Sequence, residues 1–120
     1  MAGTQSPEDL RQRTKAFANR VIRLYWALPQ TGEAKVIGSQ LLRSATSVGA
    51  NYRAACRGRS RSEFASKLGI VVEEADETIY WLELLADNGI VPSQRLDDIL
   101  KEAHELTAIF TAARATTRNN

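Results

Sequence analysis

The apolar positions of this chain fall on helical spacing almost from end to end. Leu10, Thr14, Phe17, Val21, Leu24 and Leu28 step by four, three, four, three and four. Phe64, Leu68, Val71, Ala75, Thr78, Leu82 and Leu85 follow the same alternation, and so do Leu96, Ile99, Ala103, Leu106, Phe110 and Ala113. Such steps line up one face of an α-helix. Sustained over several turns, they form the seam by which helices pack at about 20° in bundles. The remaining stretch is looser: Ile37, Leu41, Ala45, Val48, Tyr52, then Ala55 or Cys56. Nothing alternates with period two for long, so no sheet is expected.

The breaks between these stretches agree with the spacing. Ser6 precedes Pro7, a cap residue before a proline at the first helical position. Pro29 and Gly32 separate the first two stretches, with Thr31 as a cap. Gly58 ends the second, and Ser60-Arg61-Ser62-Glu63 reads as a capping box for the third. Asn88-Gly89 closes the third, and Pro92-Ser93 opens the fourth. The signals predict helices over about 7–28, 33–57, 61–88 and 93–116. Their joining loops are short, which predicts an all-α, antiparallel up-down-up-down four-helix bundle in a single domain, residues 1–120.

Composition adds little to this. The chain is 43% hydrophobic and 25% charged, ordinary for a soluble globular domain. No stretch approaches the roughly 18–20 apolar residues of a membrane span, and the opening MAGTQSPEDL has no apolar run, so neither a membrane anchor nor a signal peptide is expected. A single cysteine, Cys56, cannot form an internal disulfide and fits a reducing cytoplasm.

Charge changes the picture more. The net charge is only +2, yet residues 1–61 hold eleven Lys/Arg against three acids, and residues 62–120 hold five against eleven. In an up-down bundle the start of the first helix, the turn between the second and third, and the end of the fourth share one end. Residues 1–15, 53–67 and 111–120 together hold ten cations and three acids, a net of +7. At its centre stand Arg57, Arg59 and Arg61, with Arg53, Arg11, Arg13 and Lys15 around them. Guanidinium forks match phosphates, and a helix start offers free N–H groups to an anion, so these seven residues are the candidate nucleic-acid contacts. The bland alternative is a solvated cap, or pairing with acids of another subunit. Tyr52 and Phe64 sit on core positions, which favours backbone recognition over base stacking.

The second helix carries a polar stripe, Gln40, Ser44, Ser47 and Asn51, beside small residues that include Gly49. A glycine inside a helix costs roughly 0.5–1 kcal/mol, which a close helix approach would offset. The third helix offers Glu73, Glu74, Asp76 and Glu77 as partners, and Arg43 and Arg53 can pair with some of them within or between subunits. That helix also carries Ile70, Val72, Ile79, Tyr80, Trp81 and Leu84 outside its main seam. So wide an apolar surface points to an oligomer.

Enzymatic signals are missing. Di-iron bundles need Glu-x-x-His pairs, but the only histidine is His104, and Lys101 stands three residues before it. There is no phosphate-binding loop, dinucleotide glycine pattern or serine elbow. No metal, no cofactor and no catalytic residue is expected.

Ser39 to Leu85 closely resembles the signature of the bacterial four helix bundle protein family, known from intervening sequences of 23S rRNA genes. The residues that carry the resemblance are Gln40, Leu41, Arg43, Ser47, Asn51, Arg59, Ser60, Glu63, Phe64, Lys67, Leu68, Glu74, Ala75, Glu77, Trp81, Leu82 and Glu83. The resemblance implies a ring-shaped homopentamer, with Gln40, Arg43, Ser47, Asn51, Glu74, Glu77 and Trp81 at the subunit interface. The family is also similar to the accessory variability determinant of diversity-generating retroelements, a basic pentamer that binds nucleic acid and partners a reverse transcriptase. The expectation is therefore a cytoplasmic, non-enzymatic homo-oligomer that binds structured RNA or an RNA–DNA hybrid through its basic pole. The alternative is a protein-interaction scaffold, such as an accessory protein of a reverse transcriptase.

Overall fold

Ser6, Pro7 and Asp9 start the first helix as their chemistry requires. The Ser6 hydroxyl accepts from the Asp9 N–H, and the Asp9 carboxylate accepts from the Ser6 N–H, a complete capping box around a proline at the first turn. The computed structural model describes residues 5–119; the first four residues, which the expectation about a signal peptide partly covers, lie outside the described residues. Four helices follow in order: α1 (Pro7–Trp26), α2 (Gly32–Cys56), α3 (Arg61–Asp87) and α4 (Ser93–Asn119). Every regular element among the described residues is a helix.

Each end has a local cause. Ala27 and Leu28 donate to carbonyls only three residues back, at Leu24 and Tyr25, so regular α1 stops before Leu28. Leu28 then folds inward and is buried. Thr31 and Ser60 cap α2 and α3 through side-chain oxygens that accept from Ala34 N and Glu63 N. Gly89 follows α3 at a φ of 65°, a left-handed conformation that glycine adopts without a Cβ clash.

The heptad-like seams become the core. Phe17, Val21, Leu41, Val48, Leu68, Val71, Leu82, Leu85, Leu96, Leu106 and Phe110 are all buried. The Tyr52 and Phe110 rings meet at 5.0 Å with a tilt of 46°, a favourable aromatic geometry. α3 packs on α2 and α4, α2 packs also on α1, and α1 meets α4 along a slender seam.

Two polar features join the core. The Thr14 hydroxyl is buried and donates back to Leu10 O at 2.8 Å. A Cβ at Gly49 would stand 3.1 Å from Thr14 Oγ1, so the close approach for which α2 carries this glycine is made to α1. Between α2 and α3 the buried Thr78 hydroxyl meets that of Ser44 at 3.0 Å. Both also bond to carbonyls of their own helices, Glu74 O and Leu41 O. Nothing polar in this seam is left without a partner.

No helix among the described residues is long and apolar enough to cross a membrane.

Candidate functional site

The second helix ends where the arginines begin. Arg57 caps α2, with its N–H donating to Ala54 O and Ala55 O. Its side chain is exposed, as are those of Arg59 and Arg61. Gly58 turns the chain and Ser60 restarts it as α3, so three arginines are displayed within one tight connection.

Four cavities surround this end of the molecule, joined through shared arginines. A groove between α1 and α2, about 280 Å³, is lined by Lys15, Arg11 and Arg53. A second, about 360 Å³, takes in Arg11, Arg53 and Arg57 around Cys56. A third, about 570 Å³, runs from Arg11 to Arg61 over Tyr52 and Phe64. The last, about 680 Å³, holds Arg61, Arg114 and Arg118. One carboxylate, Glu8, lines this whole belt. It accepts from Gln12 at 3.0 Å and from Arg11 at 2.8 Å. These bonds hold the Glu8 carboxyl below its ordinary pKa, Gln12 contributing most, and Glu8 in turn raises that of Arg11. Tyr52 is buried, and this burial pushes its phenol well above the ordinary value, with a further contribution from its bond to Cys56.

Among the seven arginine and lysine candidates, the structure brings Arg11, Lys15, Arg53, Arg57 and Arg61 into this belt, and Arg59 stands exposed in the turn between α2 and α3. Arg13 lies elsewhere. On the α1–α4 seam it forks onto Glu102 at 2.7 Å through two nitrogens and onto Glu105 at 2.7 Å. The bond to Glu102, first, holds its guanidinium firmly charged. Its side chain and that of Glu102 are only 23% and 18% exposed. Arg13→Ala leaves a half-buried carboxylate without its fork, so a loss of about 1–3 kcal/mol is expected in chemical denaturation. The same variant is expected to leave polyanion affinity within about twofold of wild type, the range of ordinary surface changes. A large affinity loss with unchanged stability would return Arg13 to the belt.

The interface candidates form a network within one chain. Arg43 donates to Gln40 at 3.1 Å, to Glu74 at 3.2 Å, and to the Glu77 carboxylate, which also accepts from the Trp81 indole at 2.9 Å. Ser47 and Asn51 bond back to their own helix, at Arg43 O and Ser47 O. Glu73 and Asp76 point outward, as does His104. Among the described residues, no group of three His, Cys, Asp or Glu is placed to hold a metal.

Sequence reasoning passed over Gly69 and Arg114. The Arg114 guanidinium lies against Gly69, where a Cβ would stand 3.1 Å from its Cζ, and its Nε is buried without an acceptor. The available signal was a glycine inside the third helix, the same oddity that drew attention to Gly49.

Comparison with known proteins supports this architecture. A crystal structure from Bacteroides thetaiotaomicron VPI-5482, a protein of unknown function from the S23 ribosomal protein family, superposes with a TM-score of 0.81. It is 33% identical, and the match covers 91% of this chain and 97% of that one. No curated protein matches. The family description that fits, the 23S rRNA-intervening sequence protein, extends over residues 8–112, nearly the whole bundle. A chain matched over that length, folded like a protein of the S23 family, belongs to the 23S rRNA-intervening sequence protein family.

Proposed function

We propose that this protein is a non-enzymatic, homo-oligomeric helical bundle that binds structured RNA or an RNA–DNA hybrid through its basic end. The observation that carries the reading is the belt of joined cavities with six arginines and lysines, Arg114 and Arg118 at one end, and a single carboxylate. Such a concentration of like charge attracts polyphosphate from solution. Titration of labelled RNA, DNA and hybrid duplexes at two salt concentrations tests it. Binding that weakens steeply with salt is expected, because each neutralised phosphate releases counterions. No binding to any of the three at low salt would end the proposal.

In this reading neighbouring helices run antiparallel. Residue numbers that rise on α1 as they fall on α2 support it: Thr14 lies by Gly49, and Tyr25 by Gly38. The chains close into a ring-shaped homopentamer in which all basic ends share one face. The outer surface of α3 supports self-association, since Ile70 is 42% and Tyr80 53% exposed. Ile70→Asp with Tyr80→Glu is expected to yield monomers in light scattering, with helicity retained. An unchanged mass would exclude this surface as the contact.

A second reading, a scaffold for a protein such as a reverse transcriptase, has its own support. Trp26 is 73% and Val36 64% exposed, and Trp26 lines a cavity with Lys35 and Ser39 rather than with the arginine belt. Partner binding that survives nuclease and fails in Trp26→Ala would favour it.

A further inference from the structure

We propose that the basic end holds one unpaired nucleotide, its base in the cavity over Tyr52 and Phe64 and its phosphate between Arg61, Arg114 and Arg118. This rests on the nucleic-acid reading above and narrows it from polyanion to unstacked strand.

Two adjoining cavities carry the inference. The first, about 570 Å³, has a floor of Tyr52, Ala55 and half-buried Phe64, with Arg11, Ser60 and Arg61 also in its lining. Its size falls in the range of about 300–1,000 Å³ typical of small-ligand sites. The second, about 680 Å³, is lined by Arg61, Arg114, Arg118, Ser62 and Ser66 and contains no carboxylate. Arg61 and Thr117 line both, so they form the shared wall. An aromatic floor beside a cationic, hydroxyl-lined hollow matches the two halves of a nucleotide.

Arg114 supplies the independent sign of a missing ligand. Its guanidinium rests on the bare backbone at Gly69, with Nε buried and without an acceptor. A phosphate oxygen drawing the guanidinium off Gly69 would supply that acceptor, and charge-assisted bonds to phosphate are the strong kind. A paired duplex offers only phosphates to such a surface, because its bases are stacked inside. The apolar floor would then face water. A bulged, looped or terminal nucleotide fills both hollows, since unstacked bases lie against aromatic and guanidinium planes.

The test compares a fully paired RNA hairpin with the same hairpin carrying one bulged nucleotide, by fluorescence anisotropy at fixed salt. Wild type is expected to bind the bulged hairpin about tenfold more tightly, the scale of one base–aromatic stack. Thr117→Trp, which fills the shared wall from a half-buried position near the end of α4, is expected to erase that preference and keep the affinity for the paired hairpin. Gly69→Ala, which displaces only the flexible end of Arg114, is expected to weaken the bulged hairpin severalfold with helicity intact. A preference absent in wild type, or unchanged in both variants, overturns the nucleotide pocket and leaves the arginine belt standing. If neither hairpin binds, the belt has failed, and amide shifts on titration with adenosine monophosphate decide the pocket alone. Shifts around Phe64 and Arg114, larger than those given by inorganic phosphate, support it. No shift at saturating nucleotide overturns it.

Discussion

Replacing Arg57, Arg59 and Arg61 together with alanine is expected to lower affinity for structured RNA by roughly a hundredfold at about 0.1 M salt. The slope of log affinity against log salt is expected to flatten by about two to three per bound chain, because each lost phosphate contact removes about 0.9 from it. All three side chains are exposed, on the last residue before the turn, in the turn, and on the first residue of α3. None lies in the apolar core, so thermal stability and oligomer size should stay close to wild type. Folding and binding are therefore separable in this variant. If affinity and salt slope both persist while the protein remains folded, these arginines are a solvated cap and the contact surface lies elsewhere.

Phe110→Ala is expected to cost about 3–5 kcal/mol, the range for deleting a fully buried ring. Phe110 is completely buried, and the Tyr52 ring meets it at 5.0 Å. Domains of this size have about 5–15 kcal/mol in total, so a third or more of the stability hangs on one side chain. Denaturation at fixed protein concentration measures it, since association couples to stability. The variant is also expected to weaken RNA binding, because Tyr52 lines the cavity between Arg11 and Arg61. A loss below about 1 kcal/mol would mean that Tyr52 and its neighbours close over the vacated space.

The core was legible in the sequence because it depends on spacing alone. The seam from Phe64 to Leu85 is buried at every position but Phe64, which is half-buried, and the seam from Leu10 to Leu28 at every position but Leu24. Caps were legible for the same reason: Ser6, Thr31 and Ser60 act on residues three positions away. Partner choice across helices was not. Arg13 pairs with Glu102, 89 positions along the chain, and that pairing depends on how far each helix is rotated about its axis. The same rotation decides that Glu74 and Glu77 reach Arg43 while Glu73 and Asp76 face water. The polar stripe on α2 was visible, but its partners were not. Ser44 reaches α3, while Ser47 and Asn51 satisfy themselves on their own backbone. The place of Arg114 on Gly69 depends on a void, and a sequence records residues rather than the spaces between them.

The hydroxyl pair of Ser44 and Thr78 works as a detent. Apolar seams repeat every turn, so sliding α3 along α2 by one turn would still set aliphatic groups against aliphatic groups. It would also strand two hydroxyls that now meet at 3.0 Å inside the protein, a penalty that side chains of Val and Leu alone would never impose. Four atoms of oxygen chemistry, two hydroxyls and the two carbonyls behind them, thus choose one alignment among several that grease would accept. With that alignment chosen, the turn bearing Arg57, Arg59 and Arg61 has a fixed height at the end of the molecule.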